Sequence, residues 1–379
     1  MAEKLENNGI EIRLINTPDS LQALSTILKQ RKEFGFDTEF DRFCREYGFK
    51  LFLLQIFDGD ICYLVDPLAF KDLSPLWEAF EDPKICKVVY SSSEDVQLLK
   101  LNGCDIKNVY DLQIAAKLCN YDANSFSDII KLMFDVTLDK SMQRSNWRPR
   151  PLSSAQQIYA SHDVIWLLQL KSIFEKTALQ NGVTAIIEEE NTYCENVPVT
   201  SYIVKLTAKQ KASFSAYHQK ILLNLLHIRN KVAEAYNMPP FYIVADATLE
   251  EIVINKKNFI NEPFKKGFCS RLINDETFKM LFFNEIAAID EAKENIPAKK
   301  TYDNTIERKF YNPPSKEIVE ENCKKLQHAL QTEYGPNAAE FILRGLKKSL
   351  LQMPFNEIKL RDYQQDIITS TSKNLNIAL

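Results

Sequence analysis

The 379-residue sequence contains no Cys-x-x-Cys pair, no phosphate-binding glycine-lysine loop, no internal repeat and no low-complexity tract. Its eight cysteines stand singly at positions 44, 62, 86, 104, 119, 194, 269 and 323, a scatter that reads as reduced thiols of an intracellular protein. The missing P-loop excludes an ATP-driven helicase and any nucleotide cofactor held that way. No stretch approaches the roughly 18 apolar residues that cross a bilayer, and Met1 to Glu11 is charged and polar. The expectation is a cytoplasmic protein with no membrane partner. An excess of positive charge is missing too. The net charge of -4 argues against a protein that coats nucleic acid through bulk charge. A nuclease stays open, because an enzyme that holds divalent metals must cluster carboxylates while its basic residues line one groove.

What is present suffices for packed cores. Hydrophobic residues make up 45% and charged residues 26%, and the length suits two or three domains. In the first half, Glu33 to Phe40, Lys50 to Phe57, Ile61 to Val65 and Ile85 to Tyr90 read as strands, the second and third joined as a hairpin through Asp58-Gly59. Leu21 to Lys29, Asp95 to Leu101, Leu112 to Leu118, Ser125 to Met133 and Ala155 to Phe174 carry the spacing of helices. This alternation predicts an α/β sheet. From about Thr207 the pattern is helical only, with an apolar stripe at Leu222, Leu225, Leu226 and Val232, a stop at Asn237-Met238-Pro239-Pro240 and a short helix from Asp246. A charged, proline-spotted stretch follows, and then a helical hairpin over Ser315 to Leu351, broken at Tyr334-Gly335-Pro336. The domains expected are 1–180, 207–290 and 315–379, with linkers at about 181–206 and 291–314.

Three short motifs carry chemistry. Phe36-Asp37-Thr38-Glu39-Phe40 sets two carboxylates on one face of an apolar strand, tolerable where a hard divalent cation neutralises them. Taken alone, the pair is better explained by an exposed edge strand, because such short patterns are common in solvated strands. Ser91-Ser92-Ser93-Glu94-Asp95 follows a strand directly and places acids at a helix start, where capping by Ser92 or Ser93 is the plainer account. Tyr159 and Asp163, four apart, share one helical face.

The ordered set, Asp-x-Glu, then Asp95, then Tyr-x-x-x-Asp, resembles the three exonuclease motifs of the DEDD superfamily in its tyrosine branch. The resemblance is greatest to the ribonuclease D family. It runs through Leu54-Gln55, Val65-Asp66-Pro67-Leu68, Gln113-Ile114-Ala115-Ala116, Leu138-Asp139-Lys140-Ser141, Trp147, Arg150-Pro151-Leu152 and Gln157. Departures fall at Tyr90, where the family usually has histidine, at Asn146 in place of a frequent aspartate, and at Leu112 within Asp111-Leu112-Gln113. His162 does not place the chain in the histidine branch, whose histidine would fall at Ile158.

The resemblance implies an α/β ribonuclease H-like exonuclease domain, with a mixed sheet and flanking helices, followed by an all-α HRDC domain and a C-terminal helical region. It implies that Asp37, Glu39, Asp95 and Asp163 hold two divalent ions, Mg2+ or Mn2+, and that Tyr159 orients a water. The implied substrate is the single-stranded 3' end of RNA, tRNA precursors among them, shortened by one nucleoside 5'-monophosphate at a time by a monomer. Phe40, Lys140, Trp147 and Arg150 are candidates to stack bases or meet phosphates, and Lys209, Lys211, Lys220, Arg229 and Lys231 are candidates in the HRDC-like block. A DNA exonuclease uses the same four acids, and a silent RNA-binding scaffold would have lost one of them.

Overall fold

A computed structural model describes residues 6–7, 9–199, 204–254, 268–269, 275–287, 314–377 and 379. The chain divides into two compact units, one of Met1–Glu39, Leu51–Val199 and Glu307–Leu379, the other of Phe40–Lys50 and Thr200–Ile306.

The first unit is built on strands β1 (Glu6–Asn7), β2 (Ile10–Ile15), β3 (Glu33–Arg42), β4 (Phe49–Phe57), β5 (Ile61–Val65), β6 (Cys86–Val89) and β7 (Val109–Asp111). Their order is β1-β2-β5-β4-β3-β6-β7, so β3 lies inside the sheet. β4 and β5 pair antiparallel, with Leu54 opposite Val65. β2 with β5, β3 with β6 and β6 with β7 are parallel. The hairpin turn follows from Asp58-Gly59. Gly59 takes φ +100, and the Asp58 carboxylate accepts from the backbone N–H groups of Asp60 and Ile61.

Helices cover both faces: α1 (Pro18–Leu28), α2 (Ser74–Glu81) and α3 (Ser93–Leu101) on one, and α4 (Leu112–Leu118), α5 (Phe126–Phe134), α6 (Ser154–Ile165), α7 (Leu167–Gln180) and α8 (Thr184–Glu195) on the other. The period of two is plain in β5, which sends Tyr63 and Val65 into the first core and Cys62 and Leu64 into the second. Burial on both faces explains why β4 reads as a continuous apolar run.

Two expectations are corrected. The helix expected over Ala155 to Phe174 is two helices, parted at Trp166, whose ring stacks on Phe134 at 5.0 Å. No glycine or proline marks the break, so spacing alone could not find it. The linker expected at 181–206 contains α8, held by burial of Ile186 and Ile187 and by hydrogen bonds to the outermost strand. Glu195 and Asn191 accept from the N–H groups of Val109 and Asp111 at 2.8 and 3.1 Å, which closes the exposed edge of β7. β1, β2, β7 and α2 lie outside the elements expected from sequence.

The second unit is helical: α9 (Ala208–Ser213), α10 (Ala216–Ala235), α11 (Pro240–Ile243), α12 (Asp246–Ile254) and α13 (Glu276–Ala287). Thr207 caps α9 through a reciprocal pair with Gln210. The stripe of Leu222, Leu225, Leu226 and Val232 is buried with Leu249, Ile252, Phe278 and Phe282. Arg229 is buried as well, donating to the Val244 carbonyl and paired with Asp246, so it is a core residue of this unit and is not presented to phosphate.

The C-terminal helices are α14 (Lys316–Tyr334), α15 (Pro336–Ile342), α16 (Leu346–Leu350) and α17 (Asp362–Asn374), broken at Gly335 as its positive φ demands. They belong to the first unit rather than to a module of their own. The buried Glu190 of α8 accepts from Arg344, Arg361 and the Tyr363 hydroxyl at 2.5, 3.2 and 2.8 Å. Asn120 donates to the Tyr334 carbonyl and accepts from the N–H groups of Asn337 and Ala338, capping α15 from across the core. Nearly all of the linker expected at 291–314 lies outside the described residues.

One glycine sets how closely α6 and α7 approach the sheet. A Cβ on Gly35 of β3 would stand 3.0 and 3.1 Å from Leu167 side-chain atoms and 3.3 Å from the Val164 carbonyl oxygen. Gly35→Val should therefore push these helices off the sheet and cost about 1–3 kcal/mol, seen as a lower urea midpoint.

Candidate active site

Asp37 and Glu39 leave β3 on the face that Gly35 turns toward α6, while Phe34 and Phe36 point into the opposite core. Asp163 comes from α6, and carboxylate oxygens of Asp37, Glu39 and Asp163 all lie within 4.8 Å of one another. Asp95 enters from the first turn of α3. It is nearly buried, and the Thr38 hydroxyl donates to its carboxylate, tying α3 to β3.

The electrostatics show how closely the four acids converge. Burial and the neighbouring charges of Asp95, Asp163 and Glu39 push the Asp37 carboxyl well above its ordinary range. Glu39 is raised in the same way by burial, Asp163 and Asp95. Asp95 and Asp163 are each pushed up to about 7, mainly by burial. The Tyr159 phenol hydrogen-bonds to Asp163, and burial together with the surrounding carboxylates drives its pKa upward, so it remains protonated at neutral pH. The carboxylate oxygens of Asp37, Glu39 and Asp163 fit a hard divalent cation, which would relieve the repulsion.

The supporting residues include two that the sequence reading did not place. Ser92 does not cap α3, and its hydroxyl instead donates to Asp111. The buried Asp111 carboxylate also accepts from the N–H groups of Ser91, Ser92 and Gln113 at 2.8 to 3.0 Å. It thereby fixes the turn at Ser91, φ +64, that aims Asp95. Thr38 is the other. Its position between two acids hid its role, because only the sheet brings α3 beside it. Asp111 had a signal in the quoted Asp111-Leu112-Gln113, but the sequence could not say that it reaches back twenty residues to the motif-two loop.

The four substrate-contact candidates separate. Trp147 is 3% exposed, its ring 5.9 Å from that of Tyr159. Arg150 is paired with Asp66. Lys140 is exposed in the loop between α5 and α6. Phe40 lies in the helical unit, packed edge-on against Phe49 at 4.9 Å.

Residues 12–178 match the family model described as 3'-5' exonuclease. This part of the chain is similar to 3'-5' exonuclease domains. The chain is 32% identical over 228 residues to ribonuclease D of Shewanella sp. (strain ANA-3), covering 59% of this chain and 58% of that protein. To ribonuclease D of Escherichia coli (strain K12) it is 34% identical over 180 residues, 47% of this chain and 48% of that protein. It thus spans about half the length of the curated relatives it matches. The crystal structure of Escherichia coli RNase D, described as an exoribonuclease involved in structured RNA processing, superposes with a TM-score of 0.72 at 21% identity over 96% of this chain and 98% of that one. That likeness shows the fold. The similarity to ribonuclease D read from the motifs extends in sequence over the region of residues 12–178.

The crowding has a measurable cost. A carboxyl whose folded pKa is raised keeps a proton that the unfolded chain has lost, so stability falls as pH rises from the ordinary value of 3.8 toward about 7 and is lowest above it. In chelator the protein should unfold at a higher temperature near about pH 5 than near about pH 8, and added Mg2+ or Mn2+ should shrink the difference. Asp37→Asn should raise stability in chelator and diminish the gain from metal.

Proposed function

We propose that the protein is a metal-dependent 3'-5' exoribonuclease that removes nucleoside 5'-monophosphates from RNA 3' ends, with tRNA and other stable RNAs as the substrates. The convergence of Asp37, Glu39, Asp95 and Asp163 beside a protonated Tyr159, inside a 3'-5' exonuclease domain, carries this reading. The four carboxylates hold two divalent ions, Mg2+ or Mn2+. When bound, such a pair supplies charge stabilisation for the attacking and leaving oxygens and lowers the pKa of a bound water toward neutrality.

The chain's own groups do the rest. Burial and the carboxylates around it favour the protonated phenol of Tyr159. It donates a hydrogen bond and orients the attacking water. Thr38 and Asp111 keep Asp95 aimed at the other acids. Lys140 is an exposed cation of the α5–α6 loop available to a phosphate, and the half-buried Phe40 is available to a base. The helical unit over 204–287 is the HRDC counterpart, and its exposed Lys209, Lys211, Lys220 and Lys231 supply phosphate contacts. The protein acts as a monomer.

End-labelled single-stranded RNA and the matching DNA, incubated with Mg2+, Mn2+ or chelator, test the proposal. RNA should shorten stepwise from its 3' end only with metal. Asp37→Ala should abolish cleavage, and Tyr159→Phe should reduce kcat by about 10- to 100-fold. Preference for DNA would move the substrate while keeping the chemistry, and cleavage of neither strand would refute the function.

A further inference from the structure

Arg150 and Trp147 stand in the loop that leads into α6, where an arginine and a tryptophan suggest phosphate and base contacts. Their surroundings rule out both roles. The Arg150 guanidinium donates from Nε and Nη2 to the two Asp66 oxygens at 2.6 and 2.7 Å, and from Nη2 to the Phe52 carbonyl at 2.6 Å. Its Nη1 donates to the carbonyls of Trp147, Pro149 and Arg148 at 2.6, 3.1 and 3.3 Å. A guanidinium has five N–H groups, and here each has a protein acceptor, so none is left for a phosphate. Trp147, 3% exposed, has no face open to a base.

The same contacts point inward. Asp66 is nearly buried at the end of β5, and its Oδ1 also accepts from the Leu68 N–H, so the arginine is anchored to the sheet. The shortest bond from Nη1 holds the Trp147 carbonyl. On the other side, the buried Gln156 of α6 donates to the Ser145 hydroxyl and the Asn146 carbonyl, both at 3.1 Å, fixing the chain just before Trp147. Trp147 then lies against the ring of Tyr159, three residues further along α6 than Gln156, with the planes at 42°. The indole thus stands beside the phenol that hydrogen-bonds to Asp163.

We infer that Asp66, Arg150 and Trp147 form a positioning relay from the sheet to Tyr159, and that Arg150 and Trp147 act on turnover through the phenol rather than by binding RNA. The relay rests on the function proposed above for its effect on rate, but its structural part does not. Lysine keeps the charge at position 150 without the planar fork that meets Asp66 and four carbonyls at once, so Arg150→Lys is the informative variant, with Trp147→Phe as the conservative one.

In steady-state hydrolysis of a short RNA, Arg150→Lys should lower kcat about 10-fold with KM unchanged, and Trp147→Leu should do the same, with Trp147→Phe closer to the unaltered protein. In a Tyr159→Phe background, Arg150→Lys should have little further effect, because the group it positions is gone. Mn2+ affinity should stay as it is, since the four acids are untouched. Independently of activity, 13C-tyrosine spectra should show the Tyr159 ring signal, assigned by its loss in Tyr159→Phe, shifted in Arg150→Lys as the indole moves. A raised KM with kcat retained would make Arg150 a substrate contact and overturn the relay. So would full additivity with Tyr159→Phe, loss of Mn2+ affinity, or an unmoved ring signal. Were the unaltered protein inactive on RNA and DNA, the proposed function would fall, and the ring signal alone would decide the relay.

Discussion

Four carboxylates are held together against their own repulsion, and much of the first unit is arranged to keep them there. Burial and neighbouring charge raise Asp37 and Glu39 well above their ordinary range, and burial brings Asp95 and Asp163 to about 7. Such a cluster opposes folding unless rigid neighbours hold the backbone that carries it. β3 supplies two acids from inside the sheet, where strands on both sides fix it. Gly35 lets α6 and α7 lie close enough for Asp163 to join them. Thr38, buried, holds Asp95 by a hydrogen bond, and the buried Asp111 holds the turn at Ser91 and Ser92 that precedes it.

The rest of the unit protects that arrangement from its edges. β7 would present free N–H groups at the rim of the sheet, and α8 covers them with Glu195 and Asn191. α8 in turn carries Glu190, which gathers Arg344, Arg361 and Tyr363 and so binds the last helices of the chain to the sheet. Arg361 also sits over the Tyr193 ring at 3.6 Å. The C-terminal helices are in this sense an outer layer of the first unit, sharing its hydrophobic core and tied to it by Glu190 and Asn120 among other bonds.

Charge and function separate cleanly at Arg150. A cation near a nuclease motif invites assignment to phosphate, yet a guanidinium with every N–H engaged in the protein is a structural clamp. Lys140, on the same loop and exposed, keeps the property that Arg150 has lost.

The sequence by itself determined the strands β3 to β6, the hairpin at Asp58-Gly59, the helical character after Thr207 and the break at Gly335, because periodicity and turn chemistry are local, and its ordered motifs singled out four acids and Tyr159 as candidates. It did not reveal β7, the role of α8, or the parting of α6 from α7 at Trp166. Those depend on which surfaces meet: a three-residue strand has too little pattern to be read alone, and Trp166 ends a helix through what it stacks on. Tertiary structure alone decided that Arg150 and Trp147 face inward, that Asp111 reaches back to Ser91 and Ser92, and that the chain's last helices return to the first unit. In each case the deciding quantity is a contact between residues far apart in sequence, and no local property of either residue encodes its partner.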